Sequence, residues 1–316
     1  MAGVLNGNAT AMTGPPAGWT RQFAGQPGET RFWPVDKVIL VYQSFTLLLI
    51  LGWWNRLPEA AFFTAVHVGA VAVLLFEIKR PNPTSWVFRN WYPLPYVGAC
   101  YKEMARLIPA IRGWNADQAL ANLDFRIWHA NPCVWLERIQ TPGLTEFLQI
   151  AYTLFLPAVI LLAFEIWRRR SYEDFQYYAF LIALGFITSY IGYVLVPALG
   201  PRFFLAPLQH VPLQGLWLFG SMQGGLNQLE SVAHDCFPSG HTELTILACW
   251  GSRMVSKWLF RTYLAYTPAL IFATVYLRYH YTVDLLAGVA VASILILGAP
   301  RFYRKLSQRG VTIGSH

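Results

Sequence analysis

The segment RYHYTVDLLAGVAVASILILGA, residues 278–299, joins a short polar stretch to an apolar run without a charge. An apolar run of about 20 residues is long enough for a helix to cross the hydrocarbon core of a bilayer. In the polar stretch, His280 and Asp284 have the i, i+4 spacing that puts both side chains on one face at the water-facing start of the helix. Because a carboxylate that orients a histidine makes the imidazole a nucleophile or a base, the segment predicts a membrane helix with a reactive group at one end.

A second polar stretch, CFPSGHT at residues 236–242, precedes another apolar run. Its histidine, His241, can serve as the acid that opposes His280. A Pro-Ser-Gly sequence before a helix lets the backbone N–H groups of Ser239 and Gly240 face an anion, and the helix dipole adds to the attraction. Two histidines, one carboxylate and an anion-binding turn together indicate phosphoryl transfer.

The composition is that of an integral membrane protein. Of the 316 residues, 55% are hydrophobic and 13% are charged, which is too apolar for an ordinary soluble domain. An aromatic content of 16% is typical of belts at the membrane–water interface. The net charge of +8 then indicates basic cytoplasmic loops and contact with membrane lipids, and it does not predict binding to nucleic acid.

The apolar runs predict an all-α, polytopic bundle of six or seven transmembrane helices. Residues 1–30 read as a disordered tail, 31–144 as two spans and a connector with interfacial helices between the second and third spans, 145–300 as the catalytic core, and 301–316 as a basic cytoplasmic tail. Within the connector, residues 101–111 carry the interfacial pattern. The seven candidate spans cover residues 38–54, 60–78, 147–167, 175–199, 241–259, 263–279 and 281–299.

The two polar motifs resemble those of the type-2 phosphatidic acid phosphatase superfamily. Pro238-Ser239-Gly240-His241 is similar to its second motif and His280-x3-Asp284 to its third, and the resemblance covers roughly residues 145–300. The stretches 239–242 and 280–284 are especially similar to the sphingolipid-synthase branch. A weaker first motif, PALGPR at residues 197–202, resembles the form found in inositol-phosphorylceramide-synthase-like members.

The resemblance implies an enzyme without metal or cofactor that forms a phosphohistidine on His280. His241 would protonate the leaving oxygen, and Asp284 would fix the tautomer of His280. The implied phosphate ligands are Arg202, Ser239, Gly240 and Arg278.

Two cations of the phosphatase pattern are missing from this chain. Leu195 stands in place of a lysine and Thr274 in place of an arginine, and Arg278 lies near the second position without matching its register. This departure favours the synthase-like branch, in which the acceptor is an alcohol of a lipid or inositol. Water remains the alternative acceptor, and the first half of the reaction is better defined than the second.

Other interpretations stay open. The bundle could be an inactive lipid transporter or scramblase, although such a protein needs no histidines in this register. A metal-dependent hydrolase could use His234 and Asp235 together with the residues of the two motifs. A Cys133–Cys236 disulfide is possible if the active-site side is oxidising.

Span parity places Arg202, His241 and His280 on one side of the membrane. By the positive-inside rule the opposite, basic side is cytoplasmic, so the active site is expected on the extracytoplasmic face. Seven spans would put the N-terminus on the active-site side, and the basic residues of the 79–144 connector would lie there too, against the positive-inside rule. The span count is therefore left at six or seven. The basic side would hold Arg56, Arg168–Arg170, Arg253, Lys257, Arg261, Arg301, Arg304, Lys305 and Arg309.

Overall fold

The computed structural model describes residues 24–80, 82–169, 171–229 and 234–308. These residues are helical or irregular and contain no strand, which confirms the all-α prediction for them. Short 3-10 turns cover Trp54–Arg56, Leu136–Ile139 and Ala206–Leu208. The α-helices are α1 (Pro34–Gly52), α2 (Ala60–Lys79), α3 (Pro83–Trp91), α4 (Pro93–Ile111), α5 (Asp117–Trp128), α6 (Pro132–Trp135), α7 (Pro142–Thr153), α8 (Phe155–Arg168), α9 (Tyr172–Leu195), α10 (Pro201–Phe204), α11 (Phe219–Leu229), α12 (Gly240–Ser252), α13 (Lys257–Tyr276) and α14 (Thr282–Ser307).

Among the described residues, α1, α2, α9 and α14 are long and apolar enough to cross a membrane, and α7 with α8 forms a fifth candidate. The chain is therefore an integral membrane protein, but the six or seven spans expected are not confirmed. The predicted span at 241–259 ends as α12 at Ser252, where Arg253, Ser256 and Lys257 interrupt the apolar run. The predicted span at 147–167 is bent by 44° between α7 and α8. Pro157 lacks the N–H that a continuous helix would need there.

Helix α4 buries one face against the bundle, and the interfacial position predicted for residues 101–111 is not confirmed. At the start of α9, the ring of Phe175 lies 4.8 Å from that of Trp91, just before α4. Farther along, the Tyr190 hydroxyl donates to the Val97 carbonyl at 2.7 Å. Beyond the end of α4, the Arg112 side chain donates to the carbonyl of Val194 at 2.8 Å. Helix α4 therefore runs alongside α9 over nearly its whole length.

The first and last long helices meet at one end of the bundle. The ammonium of Lys37 donates to the Leu306 carbonyl at 2.5 Å, and Arg31 donates to the Ser307 carbonyl at 3.0 Å. The chain consequently traverses the bundle an even number of times. Helix α4 crosses the bundle once more than the hydropathy pattern predicts. With this additional crossing, the start of α1 lies at the same end as the end of α14, and not on the active-site side as seven spans would require.

The basic end of the bundle contains most of the cations expected there. Arg169 donates to the Val255 carbonyl at 3.2 Å, which brings the turn between α12 and α13 to the same end as α8. Arg56 is placed differently from the prediction. Its neighbour Glu59 pairs with Arg106 near the other end of α4 at 3.6 Å, so this turn lies at the opposite end. Arg170 and Arg309 lie outside the described residues.

The predicted tail at residues 1–30 is described only from Ala24. Gly25 donates its N–H to the Gln176 side chain at 2.6 Å and accepts from the same amide at 3.0 Å. This part of the tail therefore packs against α9. At the other terminus, α14 continues past residue 300 to Ser307, and residues 309–316 lie outside the described part.

The even number of traversals can be tested by cysteine labelling. Gln26, Asn227 and Gln308 are exposed, whereas the four native thiols are buried and give little background. We expect Gln26→Cys and Gln308→Cys to react with a membrane-impermeant thiol reagent from one side of the membrane, and Asn227→Cys to react from the other. Labelling of Gln26→Cys and Gln308→Cys from opposite sides would contradict the fold.

Candidate active site

His280 is held in the turn between α13 and α14. The backbone N–H groups of Tyr279 and His280 both donate to the carbonyl of Thr274, at 2.9 and 3.1 Å. Two residues before His280, Arg278 adopts a left-handed φ of 69°, which reverses the chain at the end of α13. The His280 side chain, 3% exposed, is thereby directed into the protein.

Asp284 orients His280 from the first turn of α14. Its Oδ2 lies 3.4 Å from His280 Nδ1 and accepts the backbone N–H of Tyr281 at 2.8 Å. The Asp284 side chain is fully buried. A carboxylate in this position accepts the Nδ1–H of a neutral imidazole, which leaves the lone pair on Nε2. The i, i+4 spacing in the sequence therefore corresponds to a direct contact.

His241 faces His280 across the site. Its Nδ1 lies 3.4 Å from His280 Nε2, so the structure brings the second and third motifs together. Ser239 begins α12 and accepts the Thr242 N–H on its hydroxyl oxygen at 3.3 Å, which places His241 in the first turn. The two histidines therefore present an acid and a base to the same small space.

An aromatic wall fixes the ring of His241. Tyr152 stacks on it at 4.6 Å and Phe155 lies at the same centroid distance. These two rings flank the bend between α7 and α8, so the bend has a direct effect on the site. Tyr279 stacks on Tyr152 at 4.3 Å and extends the wall away from His241. Nothing in the sequence signals this wall except Pro157 beside a cluster of aromatic residues.

Arg202 lies at the far end of that wall. Its guanidinium carbon is 5.6 Å from the centroid of the Tyr279 ring. The preceding Gly200 has a φ of 89°, and a Cβ there would lie 2.8 Å from the Tyr279 carbonyl, so the close approach requires glycine. Among the described residues, Arg202 makes no hydrogen bond or ion pair with the protein. Its charge is therefore available to a ligand.

The carboxylate of Asp117 joins the first motif to the third. Its oxygens accept the N–H groups of Leu199 and Gly200 at 2.9 and 2.8 Å, and the Tyr281 hydroxyl at 3.0 Å. These bonds hold the turn that leads to Arg202 against the residue that follows His280. Sequence reasoning did not identify Asp117, because it lies in the connector, far from every motif.

Asp124, which lies in α5 together with Asp117, stabilises the start of α14. Its carboxylate accepts the N–H groups of Thr282 and Val283 at 2.8 and 2.9 Å and the Thr282 hydroxyl at 2.7 Å. Negative charge at a helix N-terminus satisfies free N–H groups and complements the helix dipole. The only sequence signal was the spacing of Asp117 and Asp124, two acidic residues two turns apart in α5.

The backbone N–H groups of Ser239 and Gly240 were both predicted to face the phosphate, and in the described structure only that of Gly240 is free to do so. The Ser239 N–H donates to the backbone carbonyl of Asp284 at 3.1 Å, so this amide is taken by the protein and is not free for phosphate. The Gly240 N–H has no acceptor among the described residues. A Cβ on Gly240 would lie 2.6 Å from the Tyr193 hydroxyl, so glycine is needed for α12 to approach α9. The prediction that a backbone amide faces the anion therefore applies to Gly240 alone.

Arg278 has partners that direct it away from the predicted role. Its guanidinium pairs with Glu137 at 2.9 Å, donates to Gln209 at 3.1 Å and contacts the Val211 carbonyl. This ion pair is nearly buried and ties the third motif to the connector and to the loop after α10. Contact with phosphate would require Arg278 to leave Glu137, and that role stays a prediction.

Cys236 contacts the same carboxylate as His280. Its sulfur lies 2.9 Å from Asp284 Oδ2 and 3.7 Å from His280 Nδ1. Burial, together with the nearby Asp284 charge, raises the pKa of the Cys236 thiol well above its usual value, so it is a neutral donor to Asp284. Cys133 and Cys236 are both free, and the disulfide left open by the sequence does not form.

The metal-ligand set considered from the sequence is only partly assembled. In the described part of the chain, Cys236, His280 and Asp284 form the group that could hold an ion, and His234 and Asp235 do not belong to it. The Tyr101 hydroxyl donates to Asp235 instead. His234 is half-buried, and burial lowers its pKa.

The comparisons with known proteins give one match. A family model described as the PAP2 superfamily matches residues 118–298, which is more than half of the chain. No curated protein and no solved structure matches. The matched segment starts in α5 and ends in α14, so it includes Asp124 and all three motifs.

We expect Asp117→Asn to lower activity because it loosens the turn that positions Arg202. Hydrogen bonds to a charged group contribute about 1.5–3 kcal/mol, so the change should lower kcat/KM by roughly 10–100-fold. If Asp117 acts by placing Arg202, the same substitution should cost much less in an Arg202→Ala background. Kinetics of the two single variants and the double variant test this coupling. Additive losses would show that Asp117 does not act through Arg202.

Proposed function

The chain belongs to the PAP2 superfamily, and on this premise we propose that it is a membrane enzyme that cleaves a lipid phosphoester through a phosphohistidine on His280. The observation that carries the proposal is the setting of the His280 ring. One nitrogen faces the buried carboxylate of Asp284 and the other faces His241, both at 3.4 Å. An inactive transporter or scramblase has no need for this arrangement.

In the first step, His280 Nε2 attacks phosphorus and the bond from phosphorus to the leaving oxygen breaks. Asp284 stabilises the positive charge that develops on the ring, and His241 donates a proton to the departing oxygen. The 3.4 Å contact between the two rings leaves no room for a phosphoryl group. Substrate binding therefore has to separate His241 from His280.

In the second step, His241 takes a proton from the acceptor hydroxyl, the acceptor oxygen attacks phosphorus, and the bond to Nε2 breaks. With water as acceptor the enzyme is a phosphatase. With an alcohol of a second lipid or inositol it is a phosphotransferase, as the similarity to the sphingolipid-synthase-like branch suggests. Charge neutralisation by Arg202 and by the Gly240 N–H requires no metal and no cofactor in either case.

The supply of positive charge favours a phosphodiester substrate. A phosphodiester carries one negative charge, whereas a phosphomonoester carries about two near neutral pH. Of the two candidate arginines, Arg278 is paired with Glu137, and Arg202 has no acidic partner in the described part of the chain. Leu195 and Thr274 supply no cation. This balance supports transfer of a phospho-head group over hydrolysis of a lipid monophosphate.

Exposed apolar side chains in the segment that follows Arg202 in the sequence support a lipid substrate. Phe203, directly after Arg202, is 55% exposed, and Trp217 in the following loop is 85% exposed. Exposed aromatic side chains are enriched where a membrane protein meets the lipid–water interface. A lipid can place its phosphate at Arg202 and keep its acyl chains in the bilayer, which a water-soluble phosphoester cannot do.

We propose that the site faces the extracytoplasmic side. The end of the bundle opposite the site holds Lys37, Arg169, Arg304 and Lys305. Transfer of these cations across the bilayer would be costly, and the positive-inside rule assigns this end to the cytoplasm. In the labelling experiment, Asn227→Cys should then react from outside intact cells.

We expect His280→Ala to form no phosphoenzyme with any substrate. His241→Ala should still accumulate phosphohistidine from a substrate with a p-nitrophenolate leaving group, because that group departs without a proton. The measurement is acid-labile, base-stable phosphate mapped to the peptide that contains residue 280. Normal turnover by His280→Ala would refute the mechanism.

The acceptor can be identified by product analysis. We expect purified protein to transfer the phospho-head group of a phosphodiester lipid to an added alcohol or lipid acceptor in the presence of EDTA. Free phosphate and new lipid are quantified in parallel, with His280→Ala as the blank. Release of phosphate from monoester lipids alone would assign the chain to the phosphatases. Activity that EDTA removes and one divalent ion restores would favour the metal-dependent alternative.

A further inference from the structure

We infer that Cys236, His280 and Asp284 form a binding site for a thiophilic divalent cation such as Zn²⁺, and that the bound ion switches the enzyme off. The regulatory part of this inference rests on the proposed role of His280 as the nucleophile. The site itself rests on geometry alone. The proposed reaction needs no metal, so the ion acts as an inhibitor and has no part in catalysis.

The three potential ligand atoms are already spaced for tetrahedral coordination. Zn²⁺ binds cysteine sulfur at about 2.3 Å and histidine nitrogen or carboxylate oxygen at about 2.0–2.2 Å, which puts ligand atoms about 3.3–3.6 Å apart. The observed separations are 3.4 Å from His280 Nδ1 to Asp284 Oδ2, 3.7 Å from Cys236 Sγ to His280 Nδ1, and 2.9 Å from Cys236 Sγ to Asp284 Oδ2. Only the last pair has to widen appreciably, by roughly half an ångström or slightly more.

The ligand types and their setting select the ion. A sulfur, an imidazole nitrogen and a carboxylate oxygen match the preferences of Zn²⁺ and related ions, whereas Mg²⁺ and Ca²⁺ prefer oxygen ligands throughout. The second carboxylate oxygen of Asp284, Oδ1, is buried without a hydrogen-bond partner in the described structure. A buried unpartnered carboxylate oxygen is unusual, and an adjacent cation would compensate its charge.

Coordination by Nδ1 inactivates His280 through its tautomer. In the active form Nδ1 carries the proton, Asp284 accepts it, and Nε2 keeps the lone pair. When the metal takes the Nδ1 lone pair, the single N–H of the neutral ring is on Nε2, which can no longer attack phosphorus. The Cys236 thiol proton leaves to solvent as the sulfur–metal bond forms. Three protein ligands leave a fourth position for water.

The binding site can be tested without any enzymatic assay. We expect one equivalent of Co²⁺ added to the purified full-length protein to produce the visible spectrum of a tetrahedral ion and a thiolate-to-metal absorption band. Cys249→Ala, which removes a buried thiol elsewhere in the bundle, should keep both signals. Cys236→Ala should lose both, and Cys236→Ser, which keeps the side-chain volume, should lose the thiolate band. An unchanged band in the Cys236 variants would overturn the site.

Regulation is tested by the effect of Zn²⁺ on turnover. Each variant is compared with its own rate in EDTA, so a change in basal activity does not enter the result. We expect the Zn²⁺ concentration for half inhibition to rise at least about tenfold in Cys236→Ala and to stay unchanged in Cys249→Ala. Equal sensitivity of the two variants would overturn the switch. If the protein proves to have no activity, the Co²⁺ spectrum still decides the site, so failure of the proposed function is distinguishable from failure of this inference.

Discussion

The buried carboxylate of Asp284 is the group on which the rest of the site depends. Its side chain orients His280, accepts the Tyr281 N–H that starts α14 and receives the thiol of Cys236. Its backbone carbonyl accepts the N–H of Ser239, the residue that caps α12. One residue therefore fixes the start of two helices and the ring between them. The distance between His241 and His280 follows from this shared support.

A carboxylate without solvent is costly to bury unless hydrogen bonds satisfy it. The connector before α7 reduces this cost, because it holds in place the backbone segments that surround Asp284. Asp124 caps α14, and Asp117 holds both Tyr281 and the turn that precedes Arg202. The bend between α7 and α8 then brings Tyr152 against His241. Elements with no catalytic group of their own thus determine the geometry of the reacting ones.

The sequence was sufficient to predict contacts between residues that lie close together in the chain. The spacing of His280 and Asp284 on one helix face predicted their contact, and the matched family is the superfamily that the motifs resemble. Contacts between distant segments were not predictable. Asp117 meets Gly200 only because α4 returns the chain to the active-site end, and α4 does not look like a membrane helix. Within residues 101–111, where the sequence predicted an interfacial helix, Glu103 pairs with His67 at 2.8 Å inside the bundle.

Two further residues show how tertiary partners override a motif. Arg278 has the charge expected of a phosphate ligand, but Glu137 from the connector engages it. Ser239 has a backbone N–H in the position expected to face an anion, but the carbonyl of Asp284 accepts it. In both cases the competing partner is more than 40 residues away in the sequence, so no local pattern could reveal it.

The central claim, that phosphorus is transferred by way of His280, is tested most directly by the stereochemical course at phosphorus. Each in-line displacement inverts the configuration, so attack by His280 followed by attack by the acceptor gives two inversions. With a substrate made chiral by oxygen isotopes or sulfur, the product should show net retention. Net inversion would mean that the acceptor attacks phosphorus directly, and it would contradict a covalent phosphohistidine.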